Sequence, residues 1–280
     1  MEVMTRIEVT PTDFEYIRKL LRERSAIALE SGKEYLVESR LRPVVRDAGF
    51  ASISELVESL RNKRMDGLHQ RVVEAMTTHE TSFFRDIYPF EALKNVVLPD
   101  LATKRAQERS LNIWCAAASS GQEPYTIAMV LREYLLKIPD WPINIVASDI
   151  SSQILEKARS GSYCQIEVNR GLPATCLTRY FQRNGLLWQI RDELRKMCDF
   201  RQINLIEPWP PMPKMDIIFM RNVLIYFDTE TKKDILRRIR LLIRPDGYLF
   251  LGGAETTINL DDEFERMPMD KTGCYRLRGL

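Results

Sequence analysis

From residue 111 onward, apolar runs suited to buried strands alternate with runs of helical spacing, and this alternation constrains the fold more than any other feature. "LNIWCAA" (111–117) is apolar apart from Asn112, as suits a strand covered on both faces. "PYTIAMVLREYLLK" (124–137) follows as a helix with Pro124 in its first turn, where a missing N–H leaves nothing unpaired. The pattern continues through "INIVASDI" (143–150), the helix "SSQILEKARSG", "MDIIFMRNVLIYF" (215–227) and the helix "TETKKDILRRIRLLI". A Pro-Asp-Gly turn at 245–247 then leads to the strand "YLFLGG". Parallel strands need long crossovers, so the order predicts an α/β fold with a doubly wound, Rossmann-like sheet. Between about 162 and 200 the alternation fails. There "RYFQRNGLLWQIRDELRKMCDF" reads as a helix end and a short hairpin turned at Asn184-Gly185, a small β insertion.

Upstream of residue 110 no strand-like alternation occurs. Phe14, Ile17, Leu20 and Leu21 recur at helical spacing, and Gly32, Gly49 and Ser52 punctuate helices. Residues 1–75 therefore read as an all-α N-terminal domain and 76–280 as the α/β domain. The latter is entered through a helix "HQRVVEAMTTHETSFFRD" and another near "YPFEALKNVVLPDLATK". A formal charge of +2 lacks the basic excess of a chain that grips a phosphate backbone, so nucleic acid is not the expected partner. Cys115, Cys164, Cys176, Cys198 and Cys274 are scattered and form no Cys-x-x-Cys pair, which points away from disulfides and zinc and toward a reducing, cytoplasmic setting. No apolar run reaches the length of a membrane span, so no membrane insertion is expected.

In open α/β sheets ligands bind beyond the carboxyl ends of the strands, where helix N-termini present free N–H groups. The loop "AAASSGQEP" occupies that place after the first strand, with one glycine, Gly121, where a dinucleotide fingerprint has three. Glu123 at its mouth repels a diphosphate and suits a cation. The second strand ends in Asp149, in the position of an acid that bridges ribose hydroxyls. Taken singly, Gly121 fits a helix-entry turn, Glu123 a first-turn acid favoured by the helix dipole, and Asp149 an N-cap. Together, at successive strand ends, they point to an adenosine ligand with a positively charged tail, S-adenosylmethionine.

The runs "TTHETSFFRD", "CAAASSGQEPYTIAM", "SDI", "INL" and "DIIFMRNVLIYF" make the chain similar to the CheR family of chemotaxis receptor methyltransferases over nearly its whole length. The resemblance implies a class I SAM-dependent methyltransferase domain carrying a small β-subdomain, preceded by an all-α domain. It implies transfer of a methyl group to glutamate side chains of methyl-accepting chemotaxis receptors, with S-adenosylhomocysteine as product. Carried over by position, the cofactor contacts fall on His79, Thr81, Arg85, Gly121, Glu123, Asp149, Asn204, Leu205, Arg221 and Asn222. His79 stands where relatives often have Asn, and a helix-end role suits it equally well.

A glutamate carboxylate, with a reference pKa of about 4.3, is ionised at neutral pH, so methylating it needs no general base. The only two histidines, His69 and His79, lie ahead of the first strand. Alignment and water exclusion are what the protein must supply. Arg85, with a planar fork suited to a carboxylate, and Tyr226, four residues after Asn222, are the candidates to touch the acceptor. Tyr226 also fits a rim aromatic packed beside the cofactor. Arg22, Arg24, Arg40, Arg42 and Arg46 offer docking charge in the N-terminal domain, although acids and bases are nearly balanced there. The insertion resembles the subdomain that grips a receptor's C-terminal tethering peptide in some relatives. Its short "RNGLLWQI" hairpin predicts an enzyme that works without a tether. The sequence identifies no regulatory partner. An NAD oxidoreductase is disfavoured by the missing glycines. A base-modifying methyltransferase is disfavoured by Arg-Asn-Val-Leu where its Pro-Pro motif would stand, and a sensor that binds without turnover stays open.

Overall fold

The computed structural model describes residues 9–135 and 141–279 and divides them into two compact units. The first eight residues, and the last two of the helix predicted over 124–137, lie outside the described residues. One unit comprises the chain to Thr78 together with Tyr226–Thr231; the other comprises His79–Ile225 and Lys232 onward.

The first unit is helical. α1 (Pro11–Ser25) starts where the Thr10 hydroxyl accepts the Asp13 N–H at 3.2 Å, and it buries Phe14, Ile17, Leu20 and Leu21 on one face. α2 (Glu34–Asp47), α3 (Ile53–Asn62) and α4 (Gly67–Met76) complete a core that includes Leu41, Leu56 and Val72. His69 is buried in the first turn of α4, its ring held by Asp66 at 3.0 Å and the Leu60 carbonyl at 3.1 Å. It is a capping residue. The helix predicted to run on to Asp86 stops at Met76. Thr77 turns extended and donates to the Glu74 carbonyl at 2.6 Å, and Arg40 donates to the carbonyls of Met76 and Thr77 and to the Thr78 hydroxyl. Arg40 is thus a cap rather than free docking charge.

In the second unit, α5 (Tyr88–Ala92), a π-helical turn (Leu93–Val97) and α6 (Leu98–Lys104) lead to β1 (Leu111–Ala116). There follow α7 (Gln122–Leu135), β2 (Ile143–Asp149), α8 (Ser152–Ser160), β3 (Ser162–Tyr163), α9 (Gln165–Asn169) and α10 (Ala174–Tyr180). Next come β4 (Phe181–Asn184), β5 (Leu187–Ile190), α11 (Asp192–Arg195), β6 (Cys198–Gln202) and β7 (Met215–Met220). The chain closes with α12 (Thr229–Leu242), β8 (Ile243–Leu251), β9 (Phe264–Arg266) and β10 (Gly273–Leu277). The main sheet has the order β6-β2-β1-β7-β8-β10-β9, parallel from β6 to β8, with β10 and β9 antiparallel. β7 is buried at every residue, its apolar run Ile217–Met220 covered on both faces and Asp216 buried with it.

Two turns differ in detail from expectation. Asn184 pairs with Leu187, so Gly185 and Leu186 make the hairpin turn of the separate β3-β5-β4 sheet. The Pro-Asp-Gly stretch lies inside β8 as a bulge, because Met215 pairs with Ile243 while Ile217 pairs with Tyr248. An ion network explains why that bulge persists. Buried Arg105 donates to Asp216 at 2.7 Å and to both oxygens of Asp246, a bulge residue, at 2.8 and 2.5 Å. The other oxygen of Asp216 accepts the Asn112 N–H at 2.8 Å, so the network ties together the amino ends of β1 and β7, the end away from the ligand crevice.

Candidate functional site

The sheet reverses its strand order between β1 and β7, and such a reversal leaves a crevice outside the carboxyl ends of the strands. The turn after β1 is tight. Ala117, Ser119 and Gly121 have φ of 57, 50 and 95°, and the Ala118 N–H reaches the Ser148 carbonyl at 2.8 Å. A Cβ on Gly121 would meet the Tyr163 hydroxyl at 3.0 Å and the Ala158 Cβ at 3.1 Å. The single glycine therefore answers to protein packing against α8 and β3. The Tyr163 hydroxyl, which donates to the Ser120 carbonyl at 2.8 Å, clamps the turn there.

Asp149 ends β2 directly beside that turn. One of its carboxylate oxygens accepts the Ser119 N–H at 2.9 Å and the other the Ser151 N–H at 3.0 Å, and the residue is 6% exposed. Burial raises its carboxyl above the ordinary aspartate value, against the opposing pull of the Ser151 N–H, the His79 charge and the Ser119 N–H. His79 belongs to this unit, and its carbonyl accepts the Ser119 hydroxyl at 2.9 Å. Asn204 and Leu205 follow β6, which lies beside β2. The Ile203 N–H donates to the Asp149 carbonyl at 3.0 Å, and Asn204 turns the chain by accepting the Ile206 N–H at 3.3 Å.

Glu123, expected to face a cationic ligand tail, is buried and already paired. Arg221 donates to it at 2.5 Å and the Cys115 thiol at 3.3 Å; burial, then Glu123, pushes that thiol well above its ordinary range. Arg221 also reaches Asp86 at 2.7 Å and the Arg85 carbonyl at 3.0 Å, with its cation over the Phe90 ring. Among the described residues, Arg221 Nε is buried with no hydrogen-bond partner. The site thus presents a neutralised acid–base pair with an unclaimed donor, which fits a zwitterionic ligand end better than a bare anion would.

The segment that carries His79, Thr81 and Arg85 folds back through left-handed residues: Phe84, Asp86 and Ile87 have φ of 49, 66 and 35°. The Phe84 N–H is held by the Thr126 hydroxyl at 3.2 Å, and Phe83 is buried edge-on against Tyr163 and Phe181. Thr81 is partly buried on this segment, and Arg85 donates to the Glu80 carbonyl at 2.9 Å. Arg85, Arg221 and Asn222 come together in the wall of a cleft of about 400 Å³, with Asp86, Tyr88 and Lys271; Asp149 and Asn204 lie outside its wall. Lys271 has a φ of 49° and its ammonium sits over the Tyr88 ring at 5.0 Å. Tyr226 groups with the helical unit, where its carbonyl accepts the Ala28 N–H at 3.3 Å.

Two residues of this region escaped the sequence reading. Lys271 carries no motif. Glu255, in "GGAET" after the β8 strand, has a legible signal, an acid three residues beyond a glycine at a strand end. Among the described residues no cluster of His, Cys, Asp or Glu can hold a metal ion, and no helix is long and apolar enough to cross a membrane.

Comparison with known proteins gives concordant matches. The profile described as CheR methyltransferase, SAM binding domain, matches residues 79–272, and that described as CheR methyltransferase, all-alpha domain, matches residues 12–77. The chain is similar to chemotaxis protein methyltransferase 1 of Pseudomonas aeruginosa, with 42% identity over 273 residues, 95% of this chain and 98% of the relative. It is 38% identical to the chemotaxis protein methyltransferase of Vibrio parahaemolyticus over 98% of this chain and 100% of that one. With the Escherichia coli chemotaxis protein methyltransferase it shares 36% identity over 94% of this chain and 91% of the other.

Proposed function

We propose, from the premise that the chain belongs to the CheR methyltransferase family and is a SAM-dependent methyltransferase, that it esterifies glutamate carboxylates on the cytoplasmic helices of chemotaxis receptors. The observation that carries the reading is the pairing of a ribose-type acid, Asp149, with a neutralised Glu123–Arg221 pair across the strand-order reversal, beside a cleft walled by Arg85.

The donor supplies an electrophilic methyl carbon on a sulfonium. Asp149, held by two N–H groups, is assigned the ribose hydroxyls, with Gly121 letting the turn lie close to α8. Glu123 and Arg221 offer one charge each to the ammonium and carboxylate of the amino-acid end, and the free Nε of Arg221 gives it a donor beyond those its partners use. His79, Thr81, Asn204, Leu205 and Asn222 complete the proposed cofactor set. At the acceptor no proton has to move. Arg85 is assigned to position the carboxylate through its planar fork, and Tyr226 to orient it through its hydroxyl. Too tight a grip by Arg85 would blunt the nucleophile, so its contribution is alignment, the largest lever for a weak nucleophile held in place. The cleft adds Lys271, a second cation suited to an acidic acceptor.

The β4–β5 hairpin turns on two residues, which supports work without a receptor tether. Binding of a receptor C-terminal pentapeptide at micromolar affinity contradicts that part alone. A cytoplasmic location accords with these substrates. The reading as a whole is tested by incubating the protein with methyl-labelled S-adenosylmethionine and a panel of receptor cytoplasmic fragments. Labelling of at least one fragment is expected. Tight binding of S-adenosylhomocysteine with every fragment unlabelled would leave a sensor or another acceptor.

A further inference from the structure

The turn after β7 presents Arg221 and Asn222 to the cleft, and it is held by a residue that does not line that cleft. Glu255 is 7% exposed, and its carboxylate accepts four backbone N–H groups. Oε2 takes those of Asn222 at 2.8 Å and Gly252 at 2.6 Å; Oε1 takes those of Val223 at 2.9 Å and Ile225 at 3.3 Å. Three of these donors belong to the turn that leaves β7, and the fourth sits where β8 ends. A buried carboxylate with this many donors is a strong constraint, since a charge-assisted bond is about twice as strong as a neutral one.

The turn needs such a constraint. Asn222 stands at φ 58°, a conformation that L-residues other than glycine adopt only at a cost, and it follows directly on the arginine that pairs with Glu123. Space is equally tight. A Cβ on Gly252 would lie 2.7 Å from Glu255 Oε2 and 2.9 Å from the Asn222 nitrogen.

We infer that Glu255 is a positioning residue for methyl transfer: by gathering the N–H groups of Asn222, Val223, Ile225 and Gly252 it fixes Arg221 and Asn222 in the geometry that receives the donor. This rests on the reading of the site as an S-adenosylmethionine site. The chemistry makes glutamate hard to replace. Each carboxylate oxygen faces two N–H donors, so the amide of a glutamine turns its NH₂ toward two of them in either flip. Asparagine or aspartate at this position withdraws the acceptor by one methylene.

Glu255→Gln is the direct test, with Gly252→Ala as an independent perturbation of the same cradle. Arg105→Lys, which weakens the ion network at the opposite ends of the strands, serves as the destabilised control. S-adenosylhomocysteine affinity is measured by calorimetry at a temperature where all variants are folded, alongside kcat and KM for a labelled receptor fragment. Glu255→Gln and Gly252→Ala are expected to weaken the ligand at least tenfold and to lower kcat. Arg105→Lys is expected to melt earlier yet bind within twofold of the natural protein. Natural affinity and kcat in Glu255→Gln, or in Gly252→Ala should the first variant fail to fold, would overturn the inference. So would loss of binding in Arg105→Lys equal to that in the cradle variants. Failure of the unsubstituted protein itself to bind S-adenosylhomocysteine would overturn the underlying reading, and this inference with it.

Discussion

Replacing Arg221 by methionine should be among the most damaging single changes in the α/β unit, and the structure sets the size of the effect. The Arg221 side chain is 1% exposed and that of Glu123 11%, so the substitution strands a buried carboxylate. Losing one partner of such a pair costs about 3–5 kcal/mol. The Asp86 contact adds little, under about 1 kcal/mol, because that side chain is 53% exposed and its attraction is screened. A loss of about 4 kcal/mol corresponds to a fall in melting temperature of roughly 8–16 °C for a unit of this size. All four tryptophans, Trp114, Trp141, Trp188 and Trp209, lie in this unit, so fluorescence during urea unfolding follows it directly. The cause is isolated by adding Glu123→Gln, whose neutral amide can still accept from the Cys115 thiol. The double variant should recover about half of the loss. A cost below about 1 kcal/mol for Arg221→Met, or a double variant no more stable than the single one, would refute the buried-pair reasoning.

Asp149→Asn should weaken S-adenosylhomocysteine at least tenfold by calorimetry. In the unsubstituted protein affinity should decline with falling pH, starting above the ordinary aspartate value of about 3.9, because burial raises this carboxyl and protonation removes its charge and turns one acceptor oxygen into a donor. Asp246 behaves oppositely: Arg105 holds its carboxyl below the usual range, so its stabilisation is complete above about pH 3.9 and lost as pH falls through the lowered value. Asp246→Asn should therefore cost about 1–2 kcal/mol at neutral pH and flatten the acid limb of the stability profile, measured by urea titrations at stepped pH. Gly121→Ala, at φ 95° and with its new Cβ 3.0 Å from the Tyr163 hydroxyl, should destabilise by about 1–3 kcal/mol and lower ligand affinity together, seen by thermal unfolding and calorimetry.

What could be read from the chain beforehand was what local chemistry dictates. The largely apolar runs of β1, β2 and β7 announce buried parallel strands. Glu123 and Asp149 stand where strand ends place them, next to a turn whose left-handed residues are small. What could not be read depends on partners far along the chain. α4 stops at Met76 because Arg40, 36 residues earlier, takes its terminal carbonyl. The Pro-Asp-Gly stretch stays inside β8 as a bulge because Arg105, 141 residues before Asp246, pairs with it. Glu123 looked like a free anion because Arg221, 98 residues later, neutralises it only once β1 and β7 are side by side. Glu255 has one local donor, Gly252, but its role at the site depends on three others that lie about 30 residues upstream.

The most direct measurement is the chemical nature of the transferred methyl group. A receptor cytoplasmic fragment and its counterpart with the surface glutamates changed to glutamine are labelled from methyl-labelled S-adenosylmethionine, then treated with mild base. Volatile methanol from the first fragment and none from the second is the expected result, since only a carboxyl ester forms and hydrolyses in that way. Label that survives base, or that appears equally on the glutamine fragment, would contradict transfer to glutamate.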